Sequence, residues 1–351
     1  MRVETGLFRC PMSRVAELAR QAEDLGYDGL TLSEVRHDPF VTAAVAASVT
    51  SRIQLATSVA IAFPRSPMVV AQATHNLQEL SGGRFTVGLG TQVKGHITRR
   101  FSSVWDSPGP RLREYVESLR AIWACWNDGA PLDYQGRFYQ FTLMTPEFNF
   151  GPTQHPLRID LAAINRYNVE TTAIMANGLR VHGFNTAEYL RDIIWPTVQD
   201  AAERTGRDLS DFEMIGGGFV ASGPDEEAVM AAREQMRKRV AFYGSTRAYE
   251  PIFAHHGWTD LAPALRELIA QNRWSDLHTL VNDEVLDRFC IAGTYETIAE
   301  DVRKRLGGLT DRVSLGMPED TVKDRDGLGR AIEALRKVPT ARETLVGAPN
   351  R

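Results

Sequence analysis

Residues 53–61, IQLATSVAI, lead into a run from Pro67 to Leu80 and then into SGGRFTVGLG at 81–90. The first segment is a short apolar run with the length and β-branched content of a buried strand. In the second, Val69, Val70, Ala73, Leu77 and Leu80 recur at helical spacing and build an inner face. Ser81-Gly82-Gly83-Arg84 then turns the chain into another strand, 84–90. Strand, helix and strand in this order imply parallel pairing, because a crossover helix joins parallel neighbours and covers the sheet.

The cycle repeats outward in both directions. Toward the N-terminus, residues 3–8 are β-like, and Val15, Leu18, Ala19, Ala22 and Leu25 follow helical spacing up to a stop at Gly26. A strand DGLTLS (28–33) follows. Asp38-Pro39 then opens a helix to Val49, with proline at the first turn, where its missing N–H costs nothing. Toward the C-terminus, strands are expected at 157–162, 179–184, 212–219 and 311–316. Helices are expected at about 111–126, 168–177, 186–205, 225–242, 294–307 and 326–338, with Pro224 and Thr294 marking two starts. Eight strands in strict βα order predict a (β/α)8 TIM barrel rather than an open doubly wound sheet. Residues 1–340 form one domain in this reading, with insertions at 127–156 and 243–293 crowning the C-terminal face and a polar tail at 341–351.

With 40 basic and 44 acidic side chains the net charge is −4. There is then no basic field to hold nucleic acid or an anionic membrane. No run of about 18 apolar residues and no leader-like N-terminus is present. Three cysteines, Cys10, Cys125 and Cys290, lie far apart and suit neither a disulfide framework nor a zinc site, which fits a reducing cytoplasm. The expected partner is a small organic molecule.

In such barrels chemistry sits at the C-terminal strand ends and the loops after them. The densest titratable group there is Glu34-Val35-Arg36-His37-Asp38. Glu34 and His37 are the candidates for acid–base work; the plainer alternative is that Asp38 caps the next helix and Arg36 pairs with a carboxylate. Gly88-Leu89-Gly90-Thr91-Gln92-Val93 resembles the start of a Gly-x-Gly-x-x-Gly fingerprint, but Val93 stands in the third glycine's place and no helix is expected to follow at once. The glycines can equally serve a sharp turn at the strand end. Ala162-Ala163 before Ile164-Asn165 leaves room for a phosphate at backbone N–H groups, or is simply tight packing. His255-His256 has no acidic partner at ligand spacing, so no metal site is expected. Phe138, Tyr139, Phe141, Phe148 and Phe150 either line a pocket for a flat ring or pack an insertion onto the barrel.

The run Leu80 to Gly90, preceded by Ala56-Thr57-Ser58-Val59 and by Leu32-Ser33-Glu34 with Asp38-Pro39-Phe40, resembles the luciferase-like monooxygenase superfamily. The resemblance covers residues 1 to about 317. Thr91 to His96 with Arg99-Arg100-Phe101 is most similar to the branch that uses the deazaflavin coenzyme F420. It implies a homodimeric (β/α)8 barrel with F420, or alternatively FMN, as cofactor. It implies that Ser58-Val59 is a non-prolyl cis peptide against the deazaflavin ring, that Gly90 and Thr91 lie beside the ring or its ribityl chain, and that the backbone of Ala162, Ala163 and Ile164 holds the phosphate. Glu34 takes the place of an acidic residue near the reactive edge. The family often has histidine directly after that acid, whereas this chain has Val35, with His37 two residues on. The expected activity is F420-dependent hydride transfer to or from a small organic substrate. The alternatives are an FMN-dependent monooxygenase served by a separate reductase and a cofactor-binding paralogue without turnover.

Overall fold

The computed structural model describes residues 1–318 and 324–346. Eight parallel strands close into a barrel: β1 (Arg2–Leu7), β2 (Gly29–Leu32), β3 (Gln54–Thr57), β4 (Phe85–Gly90), β5 (Arg158–Ala162), β6 (Gly178–Arg180), β7 (Glu213–Ile215) and β8 (Arg312–Ser314). Each pairs with its neighbours in chain order, β8 pairs with β1 through Arg2↔Arg312 and Val3↔Val313, and Leu55↔Phe85 joins β3 to β4. Eight helices pack outside: α1 (Val15–Asp24), α2 (Pro39–Val49), α3 (Pro67–Ser81), α4 (Pro108–Asp128), α5 (Arg166–Met175), α6 (Trp195–Thr205), α7 (Ile298–Leu306) and α8 (Arg325–Arg336). The expected (β/α)8 TIM barrel is the fold observed. Local signals set the element ends. Asp38 Oδ1 accepts from the N–H groups of Phe40 and Val41 to cap α2, and Gly82 closes α3 at φ +63°, where a side chain would be strained.

The structure departs from the sequence expectation at several elements. The strand expected over 53–61 stops at Thr57 and resumes as Ala60–Ile61, which pairs with β4 through Ala60↔Leu89 and Ile61↔Gly90. The strand expected over 212–219 also divides. Gly216, Gly217 and Gly218, at φ +89°, +133° and +155°, turn the chain out of the barrel. Phe219–Gly223 then pairs in parallel with Cys290–Thr294 as a separate two-stranded sheet. Between those two strands lie helices Glu226–Gly244, Glu250–His255, Leu261–Ala270, Trp274–Leu280 and Asp283–Phe289. Thr294 therefore ends a strand, and α7 starts at Ile298. A short helix, Lys94–Arg99, does follow the Gly88–Val93 run. Of the tail, Arg342–Val346 forms one helical turn and 347–351 lie outside the described residues. Among the described residues no helix is long and apolar enough to cross a membrane.

Charge, unusually, fills part of the barrel interior. Asp160 pairs with Arg180 at 2.9 Å, Arg180 with Glu4 at 3.4 Å, Glu4 with Arg312 at 2.8 Å and Arg312 with Glu213 at 2.7 Å. Burial pushes the Glu4 carboxyl upward, but Arg180 and Arg312 more than offset it, so it stays below the usual carboxylate range. Ions this deep are tolerable only because each is paired. The chain of pairs places Glu4 and Arg180 on the floor of the barrel mouth.

Candidate functional site

The loops after β2, β3, β4 and β5 bring several of the candidate residues together. A Cβ built on Gly90 would lie 2.7 Å from Val59 Cγ2 and 3.7 Å from Ala162 Cβ, so these three form one flat contact surface that only a glycine permits. The Ser58–Val59 peptide is cis. Gly88 has a comparable role deeper in the barrel, where a Cβ would meet the Thr57 carbonyl oxygen at 2.0 Å and Arg180 Nε at 3.0 Å. Neither glycine has positive φ. They serve close approach between strands, and the turn expected of them is not there.

Glu34 is tied behind this surface. Its side chain is 6% exposed, and Oε2 accepts from the Ile61 N–H at 2.7 Å and from Arg65 Nη1 at 2.8 Å. Arg65 Nη2 also donates to Asp38 Oδ2 at 2.6 Å. Burial alone would raise the Asp38 carboxyl, but Arg65 and the two capping amides bring it below the usual value. Asp38 is thus the expected helix cap; its arginine is Arg65, not Arg36. Ser33 Oγ donates to the Ser58 carbonyl at 3.0 Å, a second tie from the end of β2 to the loop after β3. His37 turns elsewhere, with Nε2 2.9 Å from the Cys10 carbonyl oxygen.

Two concavities open at these loops, one lined by Thr91 and the other by Ser58. The first, of about 510 Å³, runs beside the Gly90 surface and is lined by Thr91, Gln92, Lys94, Trp105, Asn165, Tyr167 and Arg247, among others. Ala163 is buried. The N–H groups of Ile164 and Asn165 donate to no protein acceptor among the described residues, and α5 begins directly after them. The Ile164 side chain faces a separate outer cleft with Tyr189 and Ile194.

The second concavity, of about 420 Å³, opens at the barrel mouth. Its lining includes Glu4, Ser33, Ser58, Arg180, His182, Gly216–Gly218, Phe219, Met236, Arg239, Tyr243 and Ser314; neither Glu34 nor His37 is among these. His182 had no special standing in the sequence, where it is one position of an apolar strand. Its Nδ1 accepts from the Phe184 N–H at 2.9 Å. Its ring lies 4.4 Å from that of Tyr243 and 5.1 Å from that of Tyr249. Burial, with a smaller contribution from Arg239, pulls its pKa down to about 4, so it is neutral at physiological pH. A histidine at the C-terminal end of a barrel strand was the one signal available for it.

Several of the remaining candidates have structural partners, while Phe148 is exposed. Tyr139 packs on Tyr115 at 5.5 Å, and Phe150 packs on Trp126 at 4.9 Å, which fastens the 127–156 segment onto α4. His255 pairs with Asp192, and His256 meets Thr186 Oγ1 and stacks on Trp258. Among the described residues no group of three His, Cys, Asp or Glu is placed to hold a metal ion.

Residues 4–311 match the family described as luciferase-like monooxygenase. An uncharacterized protein of Mycobacterium tuberculosis (strain ATCC 25618 / H37Rv) is 38% identical over 327 residues, spanning 93% of this chain and 95% of that protein. The solved coenzyme F420 dependent tetrahydromethanopterin reductase from Methanopyrus kandleri is similar at TM-score 0.75 and 19% identity, over 97% of this chain and 99% of that one. EDTA monooxygenase from Chelativorans sp. BNC1 is similar at TM-score 0.74 and 16% identity, over 99% and 98%. At such identities the two solved structures speak to the fold alone. The match over residues 4–311 and the 38% identity across almost the whole length place the chain in the luciferase-like monooxygenase family, a family of oxidoreductases and monooxygenases.

Proposed function

We propose that this protein is an F420-dependent oxidoreductase that transfers a hydride between the deazaflavin and a small organic substrate. The observation that carries the reading is that Val59, on the cis Ser58–Val59 peptide, packs directly over Gly90 with Ala162 alongside, an approach that a single Cβ on Gly90 would prevent. The surface these three form suits the face of a planar ring. Beside it, the Ile164 and Asn165 N–H groups at the start of α5 suit a phosphate, with Thr91 next to the linking chain. Lys94, His96, Arg99 and Arg100 follow on one short exposed helix and its end, a cationic stretch suited to an acidic cofactor tail. When bound, the deazaflavin supplies or accepts the hydride. Glu34 positions: by holding the Ile61 N–H and Arg65 it fixes the segment that carries Val59. Ser33 does the same through the Ser58 carbonyl. The Nε2–H of His182 is the group that faces a substrate oxygen in the mouth, a role the sequence reading gave to His37.

Parallel fluorescence titrations of the purified protein with F420 and FMN test the proposal. Tight F420 and weak FMN binding is expected; FMN binding at least as tight as F420 would transfer the reading to an FMN-dependent monooxygenase with a separate reductase. Absence of turnover on a broad substrate panel would leave a cofactor-binding paralogue. A cytoplasmic homodimer is part of the proposal, and sedimentation of the purified chain tests its stoichiometry.

A further inference from the structure

One cation lining the barrel mouth lacks a carboxylate partner among the described residues. Helix Glu226–Gly244 contributes three arginines within seven residues. Arg233 is paired with Asp283 and Asp287, and Arg237 with Glu234 and Asp283. Arg239, two residues further on, lines the 420 Å³ mouth cavity and has no carboxylate partner among the described residues; it only approaches the ring of Phe8, at 5.8 Å. Glu4 is the carboxylate in the lining, and it is already committed to Arg180 and Arg312. An uncommitted guanidinium facing a small cavity attracts anions from solution and orients a carboxylate through its planar fork.

The same cavity is lined by a neutral donor, His182. Because His182 Nδ1 is occupied by the Phe184 N–H, the ring proton resides on Nε2, which has no protein partner among the described residues. Tyr243 and Tyr249 hold the ring in place. Phe219 and Met236 add apolar wall, and the volume falls within the range of small-molecule pockets. Ser58 lines this cavity while the adjoining Val59 belongs to the ring-facing surface, so the two sites share one peptide bond.

We propose that the mouth cavity is the substrate site and takes a small organic carboxylate that also bears a neutral oxygen acceptor, the carboxylate pairing with Arg239 and the acceptor taking the hydrogen bond of His182 Nε2–H. The proposal rests on the reading of the Val59–Gly90–Ala162 surface as the cofactor's seat. The low pKa of His182 suits it, since a neutral donor in the same cavity as Arg239 binds a carbonyl without a second cation.

Calorimetry on the full-length chain, with and without F420, tests it with two 2-oxo acids, benzoylformate and 4-methyl-2-oxopentanoate, and their methyl esters. At least one acid is expected to bind the wild type at least tenfold more tightly than its ester. Arg239→Met is expected to weaken the acid at least tenfold while leaving the ester and F420 within threefold. His182→Phe keeps the ring packing and is expected to weaken acid and ester alike, about fivefold or more. Equal binding of acid and ester in both pairs, or no binding of either acid, overturns the proposal. So does an Arg239→Met variant that loses F420 and keeps the acid, because the cation then serves the cofactor. Loss of wild-type F420 binding with acid binding intact instead refutes the cofactor reading alone. Circular dichroism of both variants establishes that they are folded.

Discussion

Gly90→Ala is the sharpest test of the ring-facing surface. The added methyl would sit 2.7 Å from Val59 Cγ2, where ordinary carbon contacts lie at about 3.5–4.0 Å. One of the two must give by about 1 Å. Val59 is β-branched and stiff about χ1, and Ala162 stands only 3.7 Å away on the other side, so the displacement falls on the surface itself. Overpacking of this kind costs ~1–3 kcal/mol, which is roughly 5- to 150-fold in affinity if it is expressed wholly in cofactor binding. The assay is a fluorescence titration with F420 on wild type, Gly90→Ala, Val59→Ala and the double variant, with urea unfolding of each alongside. Because Val59→Ala deletes the colliding Cγ2, the double variant should recover most of the Gly90→Ala loss, a coupling of about 1 kcal/mol or more. Losses that simply multiply would refute the contact argument. Unchanged F420 affinity in Gly90→Ala would remove the surface from the cofactor's seat.

Ile164→Pro removes one of the two unpartnered N–H groups beside α5, whereas Ile164→Val keeps it. The first should weaken F420 binding more than tenfold and the second less than threefold, read in the same titration. Since His37 bonds to the Cys10 carbonyl and lies outside both concavities, His37→Ala should turn over within threefold of wild type in steady-state assays. Glu34→Gln should raise the F420 dissociation constant severalfold, because the amide weakens the tie to Arg65. The last prediction concerns pH. The His182 pKa is lowered from 6.5 to about 4 in the folded state, so the unfolded chain takes up the proton first, and the stability this site contributes is full above pH 6.5 and is lost as pH falls toward 4. His182→Phe should therefore lose less stability than wild type between pH 7.5 and pH 4.5, by up to ~2 kcal/mol in denaturant titrations; parallel losses would contradict the assignment.

The eight barrel strands were legible because each is a short apolar run bounded by helix caps and turns, and such runs have few alternatives. Apolar periodicity does not say which sheet a run joins. FEMIGGGF reads as one strand, yet its three glycines release the chain at Gly216 and Phe219 opens a different sheet. Of the site candidates, Val59, Gly90 and Ala162 carry local signals at or just past strand ends, and the fold brings them into contact. The partners missed were those set by long-range packing. Arg65 reaches Glu34 across 31 positions, and His182 meets Tyr243 only because helix Glu226–Gly244 folds back over the mouth. The charged cluster Glu34 to Asp38 drew attention by density alone, and the structure spends its carboxylates on Arg65, a backbone amide of the next loop and a helix cap.

The paired strands Phe219–Gly223 and Cys290–Thr294 bear on how such a protein can change over time. Their five-residue parallel ladder clamps both ends of the helical block between them, so a replacement block has only to bridge from Gly223 to Cys290 to leave the barrel undisturbed. Met236, Arg239 and Tyr243 belong to that block, while Val59, Gly90 and Ala162 belong to the barrel. Recombination or drift within residues 224–289 can therefore exchange Met236, Arg239 and Tyr243, and with them Arg247 of the neighbouring concavity, while Val59, Gly90 and Ala162 stay in the barrel. The lining of the mouth and the barrel-borne Val59, Gly90 and Ala162 can thus vary at different rates in a chain built this way.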